Sequence, residues 1–363
     1  MSSSEIPTRQ QLNNGAYTVG IITVLPNELA AAIAVLAEEH DPPSDLAQPG
    51  AHQNNYTWGR IANHNVAIVQ MKEPGKVSSA ATAMAMLTTI PSIRFFLIVG
   101  TGGGVPYPNK KPKDQVRLGD VVISAPSGAA AGVVQYDLGK EQSKDGNSYF
   151  QRTGSLGPPP RELRTVLNVF KARMVPSHLD HSIGQVVERL GTGITRFNDG
   201  PSPACPGPEN DCLFPASYEH QLSKSRFSAA KSRLFQRSDN SSQQELKDCQ
   251  FCNRNKAVER GNRDSSWTPE IHYGLIASGD KVIKNAEVRD SVVSQLRQKD
   301  VGECLCFEME AAGLMNDFQC LVIRGISNYA DTHKNDTWQA YAAVTAAAVA
   351  KMLLQLIEAP ELA

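Results

Sequence analysis

The sequence predicts an α/β domain built on a parallel sheet, and three observations carry that expectation. Short apolar runs of strand length recur along the chain, an Ala-rich helical stretch separates two of them, and the pattern resumes after a long polar interruption. Strand, helix, strand at this spacing is the signature of a βαβ unit. Its strands are covered on both faces, which accounts for apolar runs without alternation.

Residues 1–16 carry no apolar periodicity and read as a disordered lead-in. Residues 17–24 (YTVGIITV) read as a buried strand. After Pro26, residues 28–39 (ELAAAIAVLAEE) read as a helix of strong helix formers. Residues 65–71 and 94–100 are two further strands, with the helical stretch 76–90 between them. Strands are also expected at 118–124, 131–137, 271–277 and 320–327. Residues 335–358 read as a long closing helix with Asn335 or Asp336 near its N-cap. Between about 197 and 269 the chain turns polar and aperiodic, too long a stretch for an ordinary loop. Because the pattern resumes at Ile271, one domain over 17–359 with an insertion is expected, although length alone at ~150 residues per domain suggests two.

Composition narrows the function. With 36 Lys+Arg against 37 Asp+Glu the net charge is −1, which excludes the basic surface of a dedicated nucleic-acid binder. No apolar run is long enough for a membrane helix, and the N-terminus has no apolar core of a secretory signal. The odd count of 7 cysteines then reads as free thiols in a reducing compartment, so a cytoplasmic location is expected, with no membrane partner.

Four segments can carry chemistry. Residues 99–105 (VGTGGGV) follow a strand, where glycines let a ligand approach the backbone. Their spacing matches neither a dinucleotide fingerprint nor a P-loop, and a tight turn without a ligand fits them equally. In 307–313 (FEMEAAG), Glu308 and Glu310 are two apart and should point to opposite sides of an extended segment, leaving one to face a ligand. Such a carboxylate can grip a sugar diol, or merely sit in a helix first turn. In 324–333 (RGISNYADTH), Asn328 can bond a heterocycle, and Asp331 and His333 read as acid–base groups or as simple caps. Glu28 reads as a helix first-turn residue or as a carboxylate that orients a water.

Taken in order, VGIITVLPNE (19–28), GTGGGV (100–105), RLGDVVIS (117–124), ASGDKVI (277–283), FEMEAAG (307–313) and RGISNYAD (324–331) resemble the purine nucleoside phosphorylase/nucleosidase superfamily. The resemblance runs from about Tyr17 to the last helix, outside the insertion. It is closest to the fungal-type version, which occurs alone or as the N-terminal effector domain of NLR-like receptors. With the chain ending at residue 363, the stand-alone form is expected. The resemblance implies a three-layer α/β/α sandwich around a twisted mixed sheet, usually a homo-oligomer. It also implies cleavage of the N-glycosidic bond between a purine and ribose, by water or phosphate, through an oxocarbenium-like sugar cation that the protein must stabilise.

Carried over by resemblance, Glu28 positions the attacking water, and Met309 and Glu310 lie under the ribose and hold its hydroxyls. Ser278, Gly279 and Asp280 line the base pocket, with Val282 where the family has a stacking aromatic. Gly102 and Gly103 form the turn beneath the nucleoside. Asn328 departs from the hydrolase pattern, which has an Asp that protonates the purine N7 as the bond breaks. Asn donates a hydrogen bond but transfers no proton, and general acid catalysis is worth roughly 10²–10⁴-fold. Three accounts stay open: an Asp→Asn replacement that traps substrate, a native Asn as in trimeric 6-oxopurine phosphorylases, and a pocket that only binds nucleotide.

Some domains of this group act on ATP, and Lys110, Lys111, Lys113 and Arg117, just past the glycines, are candidate phosphate ligands. Lys76, Lys281 and Lys284 are further candidates; a solvated basic loop reads the same way. The expected substrate is therefore an adenine nucleotide. Cys249-Gln-Phe-Cys252 is a single C-x-x-C, and Cys205, Cys212, His220 or His272 are candidates to complete a four-ligand zinc site, though none has ligand-pair spacing. A disulfide, a redox pair or plain thiols fit as well. The chemistry needs no metal, and no cofactor is expected.

Overall fold

The computed structural model describes residues 9–47, 54–144, 146–192, 202–221, 249–263, 268–299 and 301–359. β1 (Gln10–Gln11) and a 3-10 turn at Asn14–Ala16 precede β2 (Val19–Thr23), α1 (Pro26–Ala34), β3 (Glu38–Asp41), β4 (Tyr56–Ile61), β5 (His64–Gln70), α2 (Lys76–Thr89) and β6 (Phe95–Gly104). Then come β7 (Val121–Ser124), β8 (Val133–Gln135), the hairpin of β9 (Gly139–Lys144) and β10 (Asn147–Arg152), α3 (Arg161–Arg173) and α4 (Pro176–Gly191). After the insertion follow β11 (Ile271–Ser278), α5 (Ala286–Gln298), β12 (Cys304–Glu308), β13 (Cys320–Asn328) and α6 (Gln339–Leu354).

The expected βαβ unit is β5–α2–β6, whose strands flank β2 in parallel on either side. The large sheet is mixed. It runs β1-β3-β4-β5-β2-β6-β12-β11-β7-β13, with β8 beside β11 and β13 also paired to β6. One half of the sheet therefore closes on itself through β6, β12, β11, β7 and β13. The β6–β13 pairing is long, parallel and in register from Phe96↔Cys320 to Gly102↔Ile326. A large mixed sheet with helices is the fold class that the resemblance implies; the parallel sheet expected from the residue pattern is corrected by the antiparallel pairings β3–β4, β4–β5, β6–β12 and β7–β13.

α6 is apolar on all sides, and that composition is satisfied only in an interior. It lies against β13 and β6, with α1 and α4 packed on it. The approach is close: a Cβ at Gly325 of β13 would stand 1.8 Å from the carbonyl oxygen of Ala342.

Several expected boundaries moved. The helix of 28–39 stops at Ala34, because Glu38–His40 pairs with Trp58–Arg60 and Arg60 Nε donates to Glu38 Oε1 at 2.6 Å. Tertiary pairing outweighs the helix propensity of the glutamates. The closing helix starts at Gln339 rather than near Asn335, whose side chain accepts from Thr337 N and makes a turn instead. The glycines of 100–104 are not a turn after β6 but its last residues. Part of the presumed disordered lead-in is folded: Gln10 and Gln11 pair with His40 and Asp41, while residues 1–8 lie outside the described residues.

The described parts of the insertion pack on the core. Asp211 accepts from Arg260 Nη2 at 2.7 Å and from the Tyr329 hydroxyl, and Arg260 Nη1 donates to that hydroxyl at 2.7 Å. Arg263 donates to both Asp120 oxygens at 2.6 Å, and His272 Nε2 lies 2.9 Å from Oδ2. Burial works against ionising Asp120, but these partners win and hold it down at about 2.

Candidate functional site

The carboxyl ends of β2, β6, β11, β12 and β13 surround a cavity of about 240 Å³. Open α/β folds bind ligands at this place. Glu28, Gly102, Gly103, Val282, Met309, Glu310 and Asn328 all line it, although they are spread over three hundred residues of chain.

Arg324 organises its floor. It sits in the middle of the buried strand β13, where a cation must be paired. Its Nη2 donates to Glu308 Oε2 at 2.7 Å and to Glu310 Oε2 at 2.9 Å. Glu308 and Glu310 were expected on opposite sides of an extended segment. The strand ends at Glu308, however, and Glu310 has helical backbone angles (φ −111°, ψ −42°), so both carboxylates turn to one guanidinium. Glu308 also accepts from the backbone N–H groups of Glu310 and Ala311 at 3.0 Å, which fixes that turn.

Glu28 lies on the other side of Arg324 and contributes a third negative charge. One guanidinium cannot balance three ionised carboxylates in a closed interior. Burial, against the pull of Arg324 and with the charges of Glu308 and Glu28 adding to it, pushes Glu310 up to about 7. Glu28 itself is held by four donors: Val24 N and Leu25 N on Oε2, both at 3.0 Å, and Thr101 N and Oγ1 on Oε1 at 2.7 and 2.9 Å. It caps α1 and grips β6 at once. Gly100 makes room for this group, since a Cβ there would stand 2.5 Å from Arg324 Nη1 and 2.9 Å from the Glu28 carboxyl carbon.

Asn328 closes the opposite wall. Its Oδ1 accepts from Ala330 N at 2.9 Å, and its Nδ2 donates to Ser327 Oγ at 3.0 Å. That leaves one Nδ2 proton for a ligand. Ala330 is held at φ +53°, a left-handed conformation rare for a residue with a side chain. The turn it makes carries Lys334 and Asn335 back to the cavity wall.

Other expected site residues lie elsewhere. Ser278 is buried and its Oγ accepts from Ala312 N at 2.9 Å. Gly279 lies against Tyr136 and Asp137, and its N–H donates to the Glu308 carbonyl at 3.2 Å. Asp280 pairs with Lys76 Nζ at 3.1 Å and lines a neighbouring cavity with Met309. The basic loop does not reach the main cavity: Lys110 is ion-paired with Glu303, and Arg117 is buried and donates to Gln115 Oε1 and the Gly261 carbonyl. Lys111 and Lys113 are exposed on the loop. Lys281 and Lys334 are the lysines on the cavity wall. Burial, with Lys284 nearby, lowers the Lys334 ammonium from its ordinary value.

The sequence reading passed over Arg324, Thr101 and Lys334. For Arg324 a signal existed: a lone arginine inside CLVIRGIS demands carboxylates, and FEMEAAG supplies them.

Known structures share this architecture. The S-adenosylhomocysteine nucleosidase of Streptococcus pyogenes, solved with 5-methylthiotubericidin, superposes with a TM-score of 0.51 over 98% of this chain and 100% of that one, at 16% identity. The two chains share a fold. The 5'-methylthioadenosine/S-adenosylhomocysteine nucleosidase of Streptococcus pneumoniae aligns with a TM-score of 0.49 and 19% identity over 94% of this chain and 100% of that one. The futalosine hydrolase of Helicobacter pylori gives 0.45 and 18% over 93% and 97%. A nucleotide-binding leucine-rich repeat (NLR)-like protein of the fungus Hyaloscypha variabilis is 36% identical over 349 residues. The match covers 96% of this chain, which spans only 30% of the length of that curated relative. No family model matches the chain. Among the described residues no helix is long and apolar enough to cross a membrane.

Proposed function

We propose that the chain hydrolyses the N-glycosidic bond of a purine nucleoside or nucleotide, with an adenine nucleotide such as ATP as the favoured substrate. The observation that carries this reading is the convergence of Glu28, Glu310 and Asn328 on one cavity at the strand ends. Glu310 grips the ribose hydroxyls and, on ionising, stabilises the sugar cation as the bond lengthens. Arg324 keeps that carboxylate in place. A water reaches Glu28 Oε1 by displacing the Thr101 hydroxyl, the one side-chain donor on that oxygen. Asn328 Nδ2 donates to the departing base. Lys281 and Lys334, rather than the basic loop, receive the phosphates. α2 leaves Val77 and Met84 exposed on one face, which suits self-association into a homo-oligomer. The match to the NLR-like protein suits a catalytic unit within a larger receptor.

The test is base release, followed by chromatography, for this chain and for Asn328→Asp. The panel is ATP, AMP, adenosine and inosine, each with and without phosphate. The expected result is phosphate-independent adenine release that prefers ATP, faster in Asn328→Asp by roughly 10²–10⁴-fold at similar binding. Asn328 also favours a second reading, a phosphorylase. Release only with phosphate, with inosine preferred, replaces the hydrolase by that reading. No base release from either protein leaves a nucleotide-binding module.

A further inference from the structure

Two cysteines and two histidines meet where the insertion touches the loop after β13. His220 Nδ1 lies 3.4 Å from Cys252 Sγ and 3.7 Å from Cys249 Sγ. Ligand atoms of His220, Cys252 and His333 all fall within 4.8 Å of one another. His333 stacks on Phe214 at 4.2 Å between ring centroids, with its side chain only 6% exposed. Its Nε2 is buried and has no hydrogen-bond partner. An orphaned ring nitrogen in a cluster with the Cys252 thiol and a second imidazole asks for an occupant.

The geometry points to a structural zinc site in which Cys249, Cys252, His220 and His333 are the four ligands. With Zn–S near 2.3 Å and Zn–N near 2.0–2.1 Å, tetrahedral coordination places sulfur and nitrogen ligands about 3.6 Å apart. The two measured Sγ···Nδ1 distances bracket that value. Cys249-x-x-Cys252 has the spacing of a zinc ligand pair. Supporting donors are in place as well: Gln221 N donates to Cys252 Sγ at 3.4 Å, and Asn335 Nδ2 to Cys249 Sγ at 3.6 Å. The Asp331 carboxylate lies 3.9 Å from His333 Nδ1, the ring nitrogen left for a supporting partner when Nε2 binds metal.

Binding exchanges the thiol protons for zinc, and the two thiolates balance its charge. Three ligands come from the insertion and the fourth, His333, from the loop whose next residues, Lys334 and Asn335, line the nucleoside cavity. The metal would tie the insertion to that wall. Of the completing ligands considered from the sequence, only His220 is present. His272 is on Asp120, and Cys205 and Cys212 do not join the cluster.

The test uses the full chain purified without chelator. Elemental analysis is expected to find one zinc per chain. The metal-free protein titrated with Co²⁺ is expected to show tetrahedral d–d bands and a thiolate-to-cobalt charge-transfer band. Cys249→Ser and His333→Ala should each weaken zinc beyond the ~10–100-fold cost of losing a supporting partner. Cys205→Ser should keep it. If the ligand variants fail to fold, a mercurial titration of the unaltered chain serves instead, with zinc release expected as the thiols are modified. Absence of zinc together with an octahedral cobalt spectrum overturns the proposal. So does a Cys249–Cys252 disulfide in the mass spectrum, or a zinc that survives loss of both thiols.

Discussion

Replacing Glu310 by Gln tests the charge arrangement at the cavity floor. Three carboxylates, Glu28, Glu308 and Glu310, face one guanidinium, and Glu310 is the member that keeps its proton. In the unfolded chain it titrates at 4.5; in the fold burial raises it to about 7. Because the folded value is raised, the native state binds the extra proton between those values, and stability falls as pH rises through that window. At ~1.4 kcal/mol per pH unit the loss amounts to about 3 kcal/mol. Glu310→Gln keeps the shape and cannot ionise, so it lacks this loss. The assay is urea denaturation of both proteins across the pH range. The stability gap should be near zero below pH 4.5 and grow in favour of the variant until it levels off above about 7. A gap that does not change with pH, or one in which the unaltered chain gains as pH rises, refutes the reasoning. Base release should fall in the variant, since Gln offers no charge to the sugar cation.

Other perturbations follow from the same geometry. Arg324→Met leaves Glu308 and Glu310 buried without their cation and should cost about 3–5 kcal/mol, read by denaturant melts at neutral pH. Part of that loss should return at low pH, where the carboxylates take up protons. Lys334→Ala should raise KM for ATP by ~10–100-fold while leaving adenosine nearly unchanged, as expected for a charge-assisted bond to phosphate. Equal effects on both substrates would place the phosphates elsewhere.

Much of this protein was legible in its sequence because the relevant signals are local. Apolar runs without alternation mark strands covered on both faces, and an all-apolar closing helix marks an interior one. Gly102, Gly103, Glu28, Glu310 and Asn328 stand at the ends of such runs, where α/β folds place ligands, and all of them line the cavity.

What the sequence left undecided depends on partners far apart in the chain. Whether Glu38 belongs to a helix or a strand was settled by Arg60 across a sheet edge. The facing of Glu308 and Glu310 was settled by Arg324, which rotates both toward one cation against the alternation of an extended segment. The lysines past the glycines carry the right charge in the wrong place, because Glu303 and the fold of the loop hold Lys110 away from the cavity. His220 and His333 meet Cys249 and Cys252 only because the insertion folds back onto the loop after β13. Periodicity reports the burial of a segment; it carries no information on which distant charge or ligand that segment will face.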